Sequence, residues 1–484
     1  MAYLEGLEPP TSWSVAKRSI QLSYRYAYKR CGKRPLARDM ILEHGRGGMQ
    51  IVGSGVLGFG SGQTEGGKGE RELTCPSVER GLGFGLGCGP VLGLLQCKGY
   101  AMSDTAHTSP VSEPSRTPAA APANTRMMSI DALRGFDMFW ISGGGGLVAS
   151  IAALLCHPNP VPWWLPYHME HVDWTGFAAW DLIMPLFLFL SGVSIPFAYS
   201  RRLGETHDYG KIYRRMARRL VLLWILGMIA QGNLLNDPAN LHVYSNTLQS
   251  IAVGYVIASI AFLHLSTRKQ IGLCAGLLGL YWALMMFVPA PGTPAGWLEP
   301  HANLALWIDE TLMGRFRDGT AYAWILPGLG FGGSVLLGSF AGQVLRMKTW
   351  TPGRRFAVLC GLGVVCLIGG FLWSLHFPII KHLWTSSMVL WAAGWSYLLL
   401  ALFYLVIDVW GFRKLAFPLV VIGANAIVAY MLPHVVEFED IVKWAGRVPE
   451  EHSVTAEFIV CVIAFAMLWV PLYVLYRKKI FVKV

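Results

Sequence analysis

Ten stretches of roughly 20 apolar residues recur from Met128 to the C-terminus, and few architectures other than a membrane bundle accommodate such a pattern. They cover 130–154, 177–199, 219–235, 247–265, 270–288, 324–345, 356–375, 387–407, 415–433 and 454–476. Wound as a helix, a run of about 20 residues crosses the roughly 30 Å of bilayer hydrocarbon. Lipid offers no partner to a backbone N–H or C=O, so all ten are predicted to be helices, which pair these groups internally. Composition agrees: the chain is 54% hydrophobic and only 14% charged, where soluble domains carry about 25% charged residues. The expected fold class is all-α, a polytopic membrane helical bundle of about ten transmembrane helices.

The distribution of charge orients the bundle. Net charge is +11, but the Lys and Arg residues collect in alternate connections. Seven lie in 201–219, two at 268–269, four in 346–355, two at 413–414 and four after 476. The intervening connections hold only Arg315, Arg317, Lys381, Lys443 and Arg447, nineteen against five. This bias places both termini in the cytoplasm and the loop 156–176 on the outer side. The basic tracts suit anionic membrane lipids. A nucleic-acid partner is excluded, because no single basic face is built.

The first 126 residues differ from the rest. Residues 1–101 mix Gly-rich patches with basic runs such as Lys29–Arg34 and have no sustained helical or strand period. Residues 81–96 are apolar but short and Gly-rich, and without a basic n-region followed by a compact apolar core no cleavable signal peptide is expected. Residues 102–126 form a tail rich in Ser, Pro and Ala, a composition that stays disordered. The expected organisation is an upstream extension over 1–101 that is non-native or disordered, with Met102 as natural start. The tail 102–126 and a membrane domain over 127–484 follow.

Motifs for other chemistries are missing. The nine cysteines form no CxxC pair, and no HExxH or Walker-type loop occurs, so no metal is expected. Gly143–Gly146 lies within an apolar run, where glycines allow close helix packing or backbone approach to a ligand.

Ionisable residues stand out where the second run begins. His168, Glu170, His171, Asp173 and Asp181 cluster at the mouth of the apolar segment Leu186–Ile195. Charges so near hydrocarbon are costly and by default mark function, although a solvated loop with an Asp near a helix N-terminus would leave the same trace. Pro185 cannot donate to the Asp181 carbonyl, so the turn beside this carboxylate is loosened. A carboxylate bonded to one imidazole nitrogen fixes the tautomer and raises the basicity of the other. Asp173 and Asp181 are both candidates for that partner, and His168 competes with His171 as base. In the first run Asp131, Arg134 and Asp137 are spaced by three and share one helical face. They read either as a structural ion triplet or as a site for an anionic group near the cytoplasmic end.

These residues sit within a longer resemblance. The segments Arg126–Gly135 and His171–Gly192 resemble the heparan-alpha-glucosaminide N-acetyltransferase family of membrane acyltransferases and its bacterial relatives. Further matching blocks follow in order: 247–252 with Gln249, Leu326–Gly328 with Leu337–Gly342, Lys381–Leu390 with Trp384, and Gly423–Ile427 with Asn425, then His434. The likeness covers about 127–484. It implies transfer of an acetyl group from cytoplasmic acetyl-CoA, the co-substrate, to an amino sugar or other glycan acceptor. It also implies a multi-pass protein of the bacterial cytoplasmic membrane, with a homodimer as the assembly to look for. The family pattern puts the catalytic histidine just before Trp-x-Gly, at His171, supported by Asp181 or Asp173. Asp131, Arg134, Gln249, Lys381, Trp384, Asn425 and His434 are the implied binding residues. His171 would act as general base or as a covalent acetyl carrier. Asn425 is one candidate for stabilising the oxyanion, and Arg214–Arg219 is one for the CoA phosphates. The alternative from another class is a sugar or solute transporter using the same polar cavity, for which inverted repeats would be expected; none is seen.

Overall fold

The computed structural model describes residues 127–206, 208–232, 234–235, 238–448 and 453–482. The expectations for 1–101 and 102–126 lie outside the described residues.

The chain begins with α1 (Met128–Phe139), passes a π-helical turn at Trp140–Gly144, and continues as α2 (Gly145–Cys156). A short α3 (Trp164–Met169) precedes α4 (Ile183–Thr206), α5 (Tyr209–Ala230), α6 (Thr247–His264) and α7 (Thr267–Phe287). A small hairpin, β1 (Leu298–Glu299) with β2 (Ala302–Asn303), leads to α8 (Leu304–Met313). Then come α9 (Gly328–Arg346), α10 (Pro352–Ser374), α11 (Ser386–Phe403), α12 (Arg413–Ala424), α13 (Ala426–Val435), α14 (Phe438–Gly446) and α15 (Val454–Arg477). Local chemistry sets several starts. The Asn246 side chain accepts from Leu248 N–H, and Gln249 returns a bond to Asn246 N–H, closing a capping box on α6. Thr351 caps α10 with Pro352 in its first turn, and Ser453 caps α15.

Among the described residues, eight helices are long and apolar enough to cross a membrane. The pair α12 and α13, bent by 64° at Asn425, makes a ninth if counted as one span. All-α polytopic architecture is as expected, with eight to nine candidate spans against about ten apolar runs in the sequence. The difference is the run 219–235. Its helix, α5, ends at Ala230, because Gly232 takes φ +81°. Its first turns also carry Lys211, Arg214, Arg215, Arg218 and Arg219, leaving only a short apolar part.

Helix α9 is the hub, with 78% of its apolar window inside the protein, followed by the α4 span Ala179–Ser200 at 67%. By contrast α10 keeps Val365, Ile368, Phe371 and Leu372 exposed, an apolar outer face that suits lipid and not water. Lipid gives no hydrophobic drive between helices, so close backbone packing holds the hub together. A Cβ on Gly338 of α9 would sit 1.9 Å from the Phe189 carbonyl oxygen of α4, and one on Gly192 would sit 2.0 Å from that of Val335. Helices α1 and α12 approach as closely, at Gly135 and Gly423. Gly338→Leu should therefore cost about 3 kcal/mol, the upper end of ordinary overpacking. Thermal unfolding in detergent would read this as a lowered midpoint, and an unchanged midpoint would contradict the packing.

Candidate active site

The segment from Glu170 to Leu182 forms a loop that closes on a short 3-10 turn, Ala179–Leu182, before α4 begins at Ile183. Pro185 thus falls in the first turn of α4, where a missing N–H costs nothing. Asp181 is 1% exposed in that turn and collects donors from all around. Its Oδ2 accepts from Ala178 N–H at 3.0 Å and from Val172 N–H at 3.3 Å. Its Oδ1 accepts from His171 Nδ1 at 2.7 Å and lies 3.3 Å from Lys381 Nζ. Asp173 is exposed and makes no hydrogen bond or ion pair among the described residues. Asp181, not Asp173, is the carboxylate beside His171.

Lys381 arrives from the connection between α10 and α11, which is stitched to the His171 loop. Gly176 N–H donates to Ile379 O at 2.9 Å, and Thr175 bridges Ile380. Gly176 takes φ +130°, a conformation that a side chain would strain. Trp174 Nε1 donates to Leu298 O at 2.9 Å, fastening the loop to the β1–β2 hairpin. Lys381 Nζ stands 2.9 Å from His171 Nδ1 and 3.4 Å from Nε2. An Nδ1 that donates its proton to Asp181 has no lone pair left for the ammonium. The Lys381 bond therefore goes to the carboxylate, and the lone pair of the imidazole is on Nε2. Burial pushes the Lys381 pKa down, and the Asp181 carboxylate opposes that shift.

Trp180 borders the imidazole, ring centres 6.4 Å apart, and packs edge-on against Trp140. The first residue of α2 makes room for it: a Cβ on Gly145 would lie 2.5 Å from the Trp180 ring. On the other side His382 stacks on Trp174 at 5.1 Å and meets Tyr322 at 4.2 Å. Burial, then the neighbouring Lys381 ammonium, lowers the His382 pKa from 6.5 to about 4. A depressed folded-state pKa gives stability that is complete above the unfolded value and lost as pH falls through the folded one. The thermal midpoint should accordingly drop between pH 6.5 and about 4, and His382→Phe should flatten that part of the profile. An identical acid slope in both proteins would contradict this assignment.

The other sequence-derived residues have partners of their own, and Trp384 stays joined to the site by its N–H bond of 3.0 Å to Lys381 O. Arg134 Nη1 is 3.6 Å from Asp131, and its Nη2 donates to Ser194 Oγ at 2.8 Å, tying α1 to α4. Of the expected triplet, Arg134 and Asp131 form an ion pair, while fully buried Asp137 accepts no hydrogen bond among the described residues. Gln249 spends its amide on the α6 cap: Oε1 accepts from Ser245 and Asn246, while Nε2 donates to Val243 O at 2.7 Å. Trp384 is 2% exposed, donates to Ser334 Oγ at 3.1 Å and packs on Phe331. Asn425 holds the C-terminal segment, donating to Ile480 O at 3.1 Å and accepting from Val482 N–H at 2.9 Å. His434 Nδ1 donates to Tyr430 O at 2.7 Å, and Tyr430 OH reaches Asn246 at 3.3 Å. Of the implied binding residues, Lys381 reaches His171. Sequence reading missed Trp180, Tyr322 and His382 as site neighbours. A Trp directly before Asp181 and a His directly after Lys381 were the available signals.

No protein-family model matches the sequence. Human heparan-alpha-glucosaminide N-acetyltransferase is 25% identical over 427 residues, covering 74% of this chain and 60% of that protein. The mouse protein of the same name is 26% identical over 425 residues, covering 74% and 62%. The chain spans about three fifths of the length of these curated relatives. At about 25% identity over 74% of its length, the chain is a distant relative of the heparan-alpha-glucosaminide N-acetyltransferases.

Proposed function

We propose that the protein is an integral membrane acyltransferase that moves an acetyl group from cytoplasmic acetyl-CoA to the amine of a sugar or glycan at the outer side. The observation that carries this reading is the His171–Asp181 bond of 2.7 Å with Lys381 beside it. Such an assembly presents Nε2 as the basic nitrogen, held in one tautomer by a buried carboxylate. An ammonium is no nucleophile, so the acceptor must lose a proton before it attacks the thioester carbonyl. His171 Nε2 takes that proton as general base, or itself carries the acetyl group before the acceptor resolves it. Attack places negative charge on the carbonyl oxygen. The Lys381 ammonium, 3.4 Å from Nε2, is the cation placed to balance it. Asn425 is not given this role, because its amide is engaged by Ile480 and Val482.

The His171 loop is assigned to the outer side and the basic connection 208–218 to the cytoplasm, in keeping with a bacterial cytoplasmic membrane. Arg214, Arg215 and Arg218 are exposed there and suit anionic lipid or the CoA phosphates. The purified full chain, given acetyl-CoA with a panel of amino sugars and N-blocked counterparts, tests the reading through thiol release. Release that depends on a free sugar amine is expected. No acceptor-dependent release with any sugar would contradict it.

A further inference from the structure

We propose that Lys381 is a self-acetylation site: when no acceptor is bound, the acetyl group delivered at His171 passes to the Lys381 ε-amine and closes the site. This rests on the acyl-transfer reading of the same loop. The geometry supplies the reaction, since Nζ lies 2.9 Å from Nδ1 and 3.4 Å from Nε2. Those are the separations at which an amine attacks an acyl group carried on the ring or held over it. Lys381 is only 7% exposed, so its amine is held against the ring and away from solvent.

The step balances without any added reagent. Lys381 first gives one proton to solvent, a loss that burial of the ammonium favours. The neutral amine then attacks the acetyl group on Nε2. The Nζ–carbon bond forms as the Nε2–carbon bond breaks, with the electron pair returning to the ring. The second Nζ proton ends on Nε2, leaving an imidazolium and an acetyl-lysine. Nothing is oxidised or reduced.

The same geometry restrains the reaction. The Asp181 carboxylate, 3.3 Å from Nζ, holds the amine in its protonated, non-nucleophilic form. Acetylation removes the charge, so Asp181 loses its cation and the oxyanion loses its counter-charge. Excess donor without acceptor thereby switches the enzyme off.

The full chain, purified in detergent and incubated with acetyl-CoA alone at about pH 7 and about pH 9, provides the test by peptide mass spectrometry. Lys211, whose side chain is 59% exposed, reports the uncatalysed background. Lys381 is expected to gain acetyl roughly 10²-fold faster than Lys211, and faster still at the higher pH. Turnover measured after this pre-incubation, against each protein's own untreated sample, should fall for the wild type and hold for Lys381→Arg. Acceptor-dependent thiol release with Lys381 modified no faster than Lys211 would overturn self-acetylation and leave the acyltransferase reading standing. Continued rapid modification of Lys381 in His171→Ala would overturn delivery through His171. Absence of both thiol release and Lys381 modification would overturn the two readings together.

Discussion

His171→Ala is expected to lower acetyl transfer by roughly 10²–10⁴-fold while leaving a folded protein. The His171 side chain is 22% exposed at a loop edge, so its loss removes little packing. What disappears is the nitrogen that takes the acceptor proton or carries the acetyl group. His168→Ala is expected to be mild, because His168 is exposed and its Nδ1 does no more than accept a 3.3 Å bond from Ala179 N–H. Turnover at equal membrane expression, with thermal midpoints alongside, checks the pair. A dead His168→Ala beside an active His171→Ala would move the chemistry three residues along the chain.

Asp181→Ala should damage both stability and turnover. It leaves the buried Lys381 ammonium without its partner and strips the acceptor from Val172 and Ala178 N–H. Breaking one side of a buried pair costs about 3–5 kcal/mol, mostly from the charge left behind. Adding Lys381→Met removes that charge, so the double variant should recover much of the lost midpoint. It should not recover turnover, because His171 still lacks its orienting carboxylate. Asp181→Asn keeps the shape and should fall between wild type and Asp181→Ala. Full activity in the double variant would show that the carboxylate serves the fold alone.

Much of the bundle was legible because run length and the cost of unpaired backbone in lipid leave few alternatives. The run 219–235 is not among the candidate spans because run length ignores where a helix stops, and Gly232 ends α5 before the apolar run does. His171 and Asp181 were readable as a pair since they lie ten residues apart in one loop. Choosing Asp181 over Asp173 was not, because that depends on how the loop folds back on its 3-10 turn. Lys381, 210 residues from His171, was accessible only through resemblance. Gln249, Trp384 and Asn425 show what spacing does not reveal. These residues read as binding groups in apolar segments, and each also hydrogen-bonds neighbouring protein atoms. Their pairing partners are fixed by tertiary structure, on which spacing along the chain is silent.

Transfer of an isotopically labelled acetyl group from acetyl-CoA into an amino-sugar amide, by wild-type protein and His171→Ala side by side, tests the central claim most directly. Label is expected in the sugar amide with wild type, and a loss of roughly 10²-fold or more with the variant. Equal label transfer by the two proteins would contradict the placement of the chemistry at His171, and no transfer by the wild type to any amino sugar would contradict the proposed reaction.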